Sequence, residues 1–402
     1  MISKISSFRL AFGGCLSLVV AMGIGRFVYT PILPFMLADG QLSPVSSGVV
    51  ASANYLGYLL GAMAAALLPT PFGLYRCFAI AIAMASLTTL AMGAPFLEQL
   101  PTLLGYGTIR FVSGVASAYG LVLSATLVLD ELTARGDLKI FPVHFAGVGT
   151  GIALSSLLVE ITGSTIGMSA STLWLLCGAV SLLLTFAVLT LIPAPKRAPV
   201  SEARQEPQSS QNGKTKLSAN AYRLILAYGF FGLGYVITAT FLSVIADQQH
   251  GLSNYKSFIW MMVGIAGVPS VFLWGRIGAK IGNKNALLIA FILEAIGVAL
   301  SVLWPSLTGL IISAVLFGGT FIAITTLGLL EAKILVPQSP RLIVGLMTAS
   351  FSLGQVIGPL ISSALYEQTG DFTIATLFAS LMLVLCALMV IKPFTPPVPQ
   401  EV

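Results

Sequence analysis

Long apolar runs and short polar breaks alternate along nearly the whole chain. A hydrocarbon core of about 30 Å is crossed by a helix of roughly 20 apolar residues. Because lipid offers no partner to open backbone groups, we expect each run to be a helix. Barrel strands would alternate apolar and polar positions instead. The pattern predicts twelve spans, at about 9 to 36, 44 to 69, 75 to 95, 100 to 129, 139 to 163, 168 to 192, 221 to 247, 253 to 278, 284 to 304, 306 to 331, 341 to 366 and 372 to 392.

One long polar segment, PAPKRAPVSEARQEPQSSQNGKTKLSAN, separates the sixth span from the seventh. Its Pro, Ser, Gln and Lys content cannot bury enough apolar surface to fold. We therefore expect a flexible cytoplasmic linker at 193–220, between an N-terminal six-helix half at 1–192 and a C-terminal six-helix half at 221–402.

Composition supports an integral membrane protein, since 56% of the residues are hydrophobic and only 8% are charged. The net charge of +6 could suggest a nucleic-acid partner, but the basic residues are scattered over short loops. Orientation in the bilayer explains them better: with the N-terminus in the cytoplasm, seventeen of the twenty Lys and Arg residues fall on the cytoplasmic side. We expect a multi-pass protein of a bacterial inner membrane with both termini inside, and no nucleic-acid partner.

The two halves share a weak internal repeat. AMGIGRFVYTPIL in helix 1 aligns with FFGLGYVITATFL in helix 7 at an offset of 209, which matches Arg26 with Tyr235. GVGTG in helix 5 aligns with GQVIG in helix 11 at an offset of 207. Two repeats in the same order are the design of a rocker transporter, whose central site opens to each side in turn.

These features resemble the major facilitator superfamily of secondary transporters. RFVSGVASA in helix 4 has Arg110, Gly114 and Ala118 at the spacing of a family motif, and GRIGAKIGNKN after helix 8 is similar to a family loop signature, with Ala279 where Asp is usual. GIGRFVYTPILPFM resembles the YbfB/YjiJ branch. The resemblance implies an all-α fold of two pseudo-symmetric six-helix halves around a central cavity, and a transporter whose substrate it does not define.

Two arginines lie near mid-membrane, Arg26 in helix 1 and Arg110 in helix 4. A charge there costs about 2.5–3.5 kcal/mol on insertion scales, so each must contact protein, water or an anion. No Asp or Glu lies at comparable depth in the cavity helices, so the pair could form a fork for a carboxylate, sulfonate or phosphate. Alternatively each guanidinium bonds carbonyls where a helix is interrupted, and Pro31 and Pro34 free such carbonyls near Arg26.

Other polar side chains in the predicted helices supply further candidates. We expect the substrate to contact Arg26, Tyr29, Asn54, Tyr58, Arg110, Tyr119, Tyr235 and Gln355. The groups that could carry a coupled proton are His144, Glu160 and Glu294. As alternatives, His144 is a packing histidine and Glu294 a structural glutamate. Salt bridges at the cytoplasmic face are expected to join Glu131 to Arg76 and Glu331 to Arg276 with Lys280, as gates that break on rocking.

Nothing in the sequence favours an enzyme. There is no phosphate-binding GxxxxGK[ST] loop, and the two histidines have no nearby Cys or Glu cluster, so we expect no cofactor and no metal site. We therefore expect a secondary active transporter of a small organic solute, most simply an anion, coupled to protons. Two alternatives stay open: an efflux pump for hydrophobic or drug-like compounds, and a non-transporting membrane sensor or assembly partner.

Overall fold

A computed structural model of the protein describes residues 6–192, 194 and 217–392, so most of the predicted linker lies outside the described residues. Within them, twelve helices are long and apolar enough to span a membrane, as predicted. The helices are helix 1 (Ser7–Ala38), helix 2 (Pro44–Leu67), helix 3 (Leu74–Ala91), helix 4 (Leu103–Arg135), helix 5 (Pro142–Thr165), helix 6 (Ala170–Leu191), helix 7 (Ala219–Gln248), helix 8 (Ser253–Ile281), helix 9 (Asn283–Leu303), helix 10 (Leu307–Leu335), helix 11 (Pro340–Thr369) and helix 12 (Thr373–Ile391).

Serine caps define where several of these helices begin. The hydroxyls of Ser43, Ser169, Ser218 and Ser306 accept from the backbone N–H three residues further on, at the starts of helices 2, 6, 7 and 10. Each cap satisfies one of the four N–H groups that a helix start leaves open. Helix 7 consequently begins at Ala219, two residues earlier than the predicted second half.

Glycines set equivalent helix pairs in the two halves. In the first half Gly23 of helix 1 packs directly on Gly151 of helix 5, and Gly147 lies against the carbonyl of Cys15. In the second half Gly354 of helix 11 lies against the carbonyl of Gly229 in helix 7. A Cβ at these positions would collide with backbone atoms, so the absence of a side chain permits the close approach.

The bundle has two ends, which we name by what they carry. The terminal face is the end where helix 1 begins and helix 12 ends, and the distal face is the opposite end, where helix 1 meets helix 2. Odd-numbered helices therefore run from the terminal to the distal face, and even-numbered helices run back.

Side-chain hydrogen bonds between the halves lie towards the distal face. The hydroxyl of Thr30 donates to the carbonyl of Ala239 at 2.5 Å, and Ser363 donates to the carbonyl of Pro44 at 3.1 Å. Helix 2 packs on helix 11, where Ser52 donates to the carbonyl of Val356 at 2.8 Å. These bonds join the distal parts of helices 1, 2, 7 and 11, so the distal side of the bundle is closed.

Candidate functional site

Helix 1 is interrupted at mid-length, and the interruption carries Arg26. A π-helical segment, Val19–Ile24, is followed by turns at 25–28 before a regular helix resumes at Tyr29–Ala38. Pro31 has no N–H for the carbonyl of Phe27, which accepts from Thr30 N at 3.2 Å instead. The local sequence therefore opens the backbone ladder beside the arginine.

The Arg26 guanidinium lies among aromatic faces and is only 4% exposed. Its central carbon stands 4.1 Å from the ring centroid of Tyr58, 4.8 Å from that of Tyr55 and 5.4 Å from that of Phe27. Such contacts stabilise a buried cation by about 0.5–2 kcal/mol each. The rings of Phe27, Tyr55 and Tyr58, which we call the aromatic cage, hold the charge without neutralising it.

Two nitrogens of this guanidinium have no hydrogen-bond partner. Nε and Nη2 of Arg26 are both buried and unsatisfied. Among the described residues the ion pairs are those of Arg135 with Glu131 and Lys256 with Asp247, so no carboxylate neutralises Arg26. Glu294, a buried carboxylate of helix 9, accepts a hydrogen bond from Thr320 at 3.1 Å.

Arg110 has a different environment, although it is equally buried at 3% exposure. Its Nη1 donates to the carbonyl of Gly25 at 3.1 Å and its Nη2 to the carbonyl of Arg26 at 3.0 Å, while Nε has no partner. Ser113, one turn along helix 4, also donates to Gly25 at 2.8 Å. The predicted fork of two open guanidiniums is therefore not formed: Arg110 bonds the interrupted backbone of helix 1, which is the alternative stated from the sequence.

Neighbouring candidates support this arrangement of helices 1, 2 and 4. Asn54 Nδ2 donates to the carbonyl of Arg110 at 2.8 Å, and Tyr29 donates its hydroxyl to the carbonyl of Ser47 at 2.8 Å while its ring lies 4.9 Å from the Arg110 guanidinium carbon. Tyr58 is in the aromatic cage. Four of the predicted residues of the first half, besides Arg26 itself, thus cluster around the interruption in helix 1.

Tyr119 is the exception in the first half. It lines a groove between helices 3 and 4 with Cys77, Ala81 and Met84, rather than the region of Arg26. Nine positions at about 100° per residue place it half a turn away from Arg110 on helix 4. The expectation that Tyr119 joins the central cluster is not met.

The second half contributes a group of stacked rings opposite the cage, Tyr235, Phe317, Phe321 and Phe351, which we call the aromatic wall. Tyr235 lies nearly parallel to Phe321 at a centroid distance of 6.0 Å and to Phe351 at 5.5 Å. Gln355 donates from Nε2 to the Tyr235 hydroxyl at 2.6 Å, and its Oε1 is buried without a partner. The ring centroids of Phe27 in the cage and Phe321 in the wall are 6.3 Å apart, so the cage and the wall form one continuous cluster.

Tyr235 and Gln355 were predicted from the sequence, but the phenylalanines of the wall and Trp260 were not. The ring centroid of Trp260 lies 6.4 Å from that of Phe27. The spacing of Phe317 and Phe321 on helix 10 does place two rings on one helix face. However, paired aromatics of this kind also occur on faces that contact lipid, and only the packing of helices 7, 10 and 11 distinguishes the two cases.

The three predicted proton-carrying groups lie apart from Arg26. His144 is fully buried with neither ring nitrogen bonded, and it stacks on Phe141 at 5.7 Å. Glu294 lies between helices 9 and 10 within the second half. Glu160 differs from both: its carboxylate accepts from Ser164 of its own helix at 3.2 Å, and it also faces the backbone N–H of Phe258 and the charge of Lys256 across the boundary between the halves.

The expected gate bridges at the terminal face are not present in this conformation. Glu131 pairs with Arg135 at 2.6 Å on its own helix rather than with Arg76. Glu331 is 8% exposed, and the nearby cation is Lys284, whereas Arg276 and Lys280 are exposed. Position along the helices predicted that these charges share a face but could not predict which pairs meet.

A charged contact does join the halves at the distal face. Lys256 at the start of helix 8 pairs with Asp247 at 2.9 Å within its own half. Its ammonium also lies 4.4 Å from the ring centroid of Phe35 in helix 1. These contacts place Lys256 at the closed, distal side of the bundle.

Comparison with known proteins is consistent with the fold and the class of protein. The family model described as "Uncharacterised MFS-type transporter YbfB" matches residues 18–391. The uncharacterised MFS-type transporter YceJ of Bacillus subtilis is 22% identical over 383 residues, which is 92% of this chain and 92% of that protein. Azole resistance protein 1 of Saccharomyces cerevisiae is 29% identical over 149 residues, 36% of this chain but only 24% of that protein.

Solved structures share the same fold. The nucleoside transporter NupG superposes with a TM-score of 0.72 at 18% identity, covering 95% of this chain and 98% of its own. The xylose transporter XylE from E. coli, in an inward-open conformation, superposes with a TM-score of 0.75 at 15% identity and covers 98% of both chains. At such identities the likeness concerns the arrangement of helices and not the substrate.

Proposed function

Because the chain belongs to the YbfB-type family of major facilitator superfamily transporters, we propose that it moves a small organic anion across the membrane by alternating access, coupled to protons. The observation that carries the proposal is the buried edge of Arg26, whose Nε and Nη2 have no partner. A permanently charged group at this depth is expensive to keep unpaired. Binding an anion relieves that cost, and the protein gains affinity from it.

Alternating access requires contacts that separate when the site opens to the other side. The distal bonds of Thr30 with Ala239 and of Ser52 with Val356 close that side in this conformation. Rocking of one half on the other would break them and open the site distally. The distribution of Lys and Arg supports placing the terminal face in the cytoplasm of an inner membrane, which makes the present conformation one that is closed to the outside.

For proton coupling, the geometry favours Glu160 over the other two candidates. Its carboxylate faces Lys256 and the N–H of Phe258, which both belong to the other half. Rocking changes these neighbours, so the two states of the transporter would bind a proton on Glu160 with different affinity. Glu294 and His144 are packed within one half and keep their neighbours when the halves move.

The test is uptake into proteoliposomes with an imposed pH gradient and a panel of organic acids. Arg26→Ala should abolish accumulation, and Arg26→Lys should retain only a small part, because an ammonium cannot present two parallel donors. Lys139→Ala is the control, since it removes an exposed cation from the loop before helix 5. Undiminished transport by Arg26→Ala would contradict the anion proposal.

Export of hydrophobic compounds is the second candidate, and the aromatic character of the site favours it. The aligned segment of Azole resistance protein 1 is a further reason to test it, although only 24% of that protein is matched. Under this alternative the rings bind the compound and the charge is dispensable. Overexpression should then protect cells against azoles or cationic dyes, and Arg26→Ala should keep that protection.

A further inference from the structure

The open edge of Arg26 limits the shape of the group that it can bind. Nε and Nη2 lie on the same side of a guanidinium, and their two N–H bonds point in parallel. Both are buried and unsatisfied here. A planar carboxylate matches such an edge with two parallel hydrogen bonds, the strongest arrangement available to arginine.

The number of free cations limits the charge of the ligand. The terminal nitrogens of Arg110 already donate to the carbonyls of Gly25 and Arg26. Lys256, the cation at the distal boundary between the halves, is paired with Asp247. Of the Arg110 nitrogens Nε alone is open, so within the described residues around the cluster Arg26 has the one guanidinium edge with two open donors, and a second carboxylate on the ligand would have no such edge to bind.

The surfaces next to this edge are rings rather than aliphatic chains. Phe27 is in contact with the guanidinium. Its ring centroid lies 6.3 Å from that of Phe321 and 6.4 Å from that of Trp260. Beyond Phe321, the rings of Phe317 and Tyr235 continue a nearly parallel stack with interplanar angles of 8° and 6°. Parallel rings favour a flat guest, because offset stacking adds to the gain from burial alone.

At the far end of this wall is a small polar group. Gln355 donates to the Tyr235 hydroxyl, so that hydroxyl keeps its own hydrogen for another acceptor. Gln355 Oε1 is buried and has no donor. One acceptor and one donor side by side suit a hydroxyl group on the ligand, which can fill both roles.

We propose that the site selects aromatic monocarboxylates, with the carboxylate on Arg26, the ring stacked on the face of Phe321 and edge-on to Phe27, which is nearly perpendicular to Phe321 at 78°, and a ring hydroxyl directed to Tyr235 and Gln355. This inference rests on the proposed function, since it specifies the anion. Neither the family match nor the structural neighbours indicate such a substrate. The proposed selectivity excludes aliphatic acids and dicarboxylates as preferred ligands.

The test measures competition for uptake of radiolabelled benzoate in proteoliposomes of the full chain. The competitors are 4-hydroxybenzoate, which adds a hydroxyl, and cyclohexanecarboxylate, which replaces the aromatic ring by a saturated one. Phthalate adds a second carboxylate, and benzamide removes the charge. We expect 4-hydroxybenzoate to compete best, cyclohexanecarboxylate to be weaker by about 2- to 10-fold, and phthalate and benzamide not to compete.

Two variants locate the selectivity. Phe321→Leu keeps apolar volume but removes a ring, so benzoate and cyclohexanecarboxylate should become equal competitors, whereas Tyr235→Phe should remove only the advantage of the hydroxyl. Phe241→Leu is the matched control, because Phe241 stacks on Phe372 at 4.3 Å outside the cluster and should leave selectivity unchanged.

The outcomes separate this inference from the function beneath it. If the protein transports other anions in an Arg26-dependent way but prefers aliphatic or doubly charged ones, the aromatic proposal is overturned and anion transport stands. If no anion is transported, both proposals fail. Selectivity for benzoate that survives Phe321→Leu would also overturn the assignment of the wall.

Discussion

The two buried arginines allow one matched experiment that separates a binding role from a structural one. Replacing Arg26 or Arg110 by Met removes the same charge at nearly the same exposure, 4% and 3% respectively. The cost of burying a guanidinium therefore cancels when the two variants are compared. What remains is the difference between their partners.

The magnitude follows from the hydrogen bonds. Arg110 donates to the carbonyls of Gly25 and Arg26, while Nε and Nη2 of Arg26 donate to nothing. Bonds that involve a charged group contribute about 1.5–3 kcal/mol each, so two of them give a gap of about 3 kcal/mol or more. Arg26 stands over three rings and Arg110 over one, so cation–π contacts return about 1–4 kcal/mol to Arg26 and leave a net gap of about 2 kcal/mol.

We expect Arg110→Met to unfold at a clearly lower temperature than the parent and Arg26→Met to unfold at an equal or higher temperature. The measurement is thermal unfolding of purified protein in one detergent at one scan rate, with Arg110→Met expected to unfold about 2 °C below Arg26→Met. Both variants should lose transport. Stability and activity thus separate in the Arg26 variant, as is common where a site is kept unsatisfied for a ligand.

An equal loss of stability in the two variants would refute this reasoning. It would mean that Arg26 has a structural partner equivalent to the carbonyls that Arg110 bonds, and the unsatisfied edge could no longer support anion binding. Arg110→Lys provides a further check, because one ammonium can retain a carbonyl contact and should recover part of the lost stability.

Three further expectations concern other parts of the structure. Gly149→Val places a branched side chain against the backbone of Gly264 and Val268 of helix 8, so the two halves should pack less closely and the purified variant should unfold at a lower temperature than the parent; an unchanged unfolding temperature would contradict this contact. Glu160→Gln should keep exchange of substrate between equal solutions but lose accumulation driven by a pH gradient; accumulation at the parental level would exclude Glu160 as the coupling group. Tyr119→Phe should leave transport unchanged, and any effect comparable to that of Arg26→Lys would contradict its position beside helix 3.

The fold was predictable because, in a lipid bilayer, the length and hydropathy of each apolar run are nearly sufficient to identify a membrane-spanning helix. Twelve apolar runs can only be helices in a membrane, and the described residues contain twelve such helices. The presence of an unneutralised arginine in helix 1 was predictable for the same reason, since the depth of Arg26 and the lack of nearby carboxylates are both visible in the sequence. Both predictions depend on position along the chain alone.

The remaining features depend on which helix faces meet. The partners of Arg110 are carbonyls that open only because the backbone at 25–28 leaves the helical ladder. Prolines and glycines indicate such an interruption but not its extent or its partner. The pairing of Glu131 with Arg135, and the stack of Tyr235 with Phe351, likewise require the relative rotation of helices, which hydropathy does not contain.

In the proposed mechanism Arg110 and Arg26 act together, each with a different task. Arg110 Nη2 donates to the backbone carbonyl of Arg26 itself, so the helix 4 motif holds the very residue whose side chain is left open. Ser113 and Asn54 reinforce the same arrangement from helices 4 and 2. Without Arg110, the interrupted segment of helix 1 would lose the donors to its carbonyls of Gly25 and Arg26, and we expect the position of Arg26 among the rings of the cage to be less well fixed. In the proposed mechanism Arg110 is therefore a positioning residue for the anion site, and we expect it to act on transport through the backbone of helix 1.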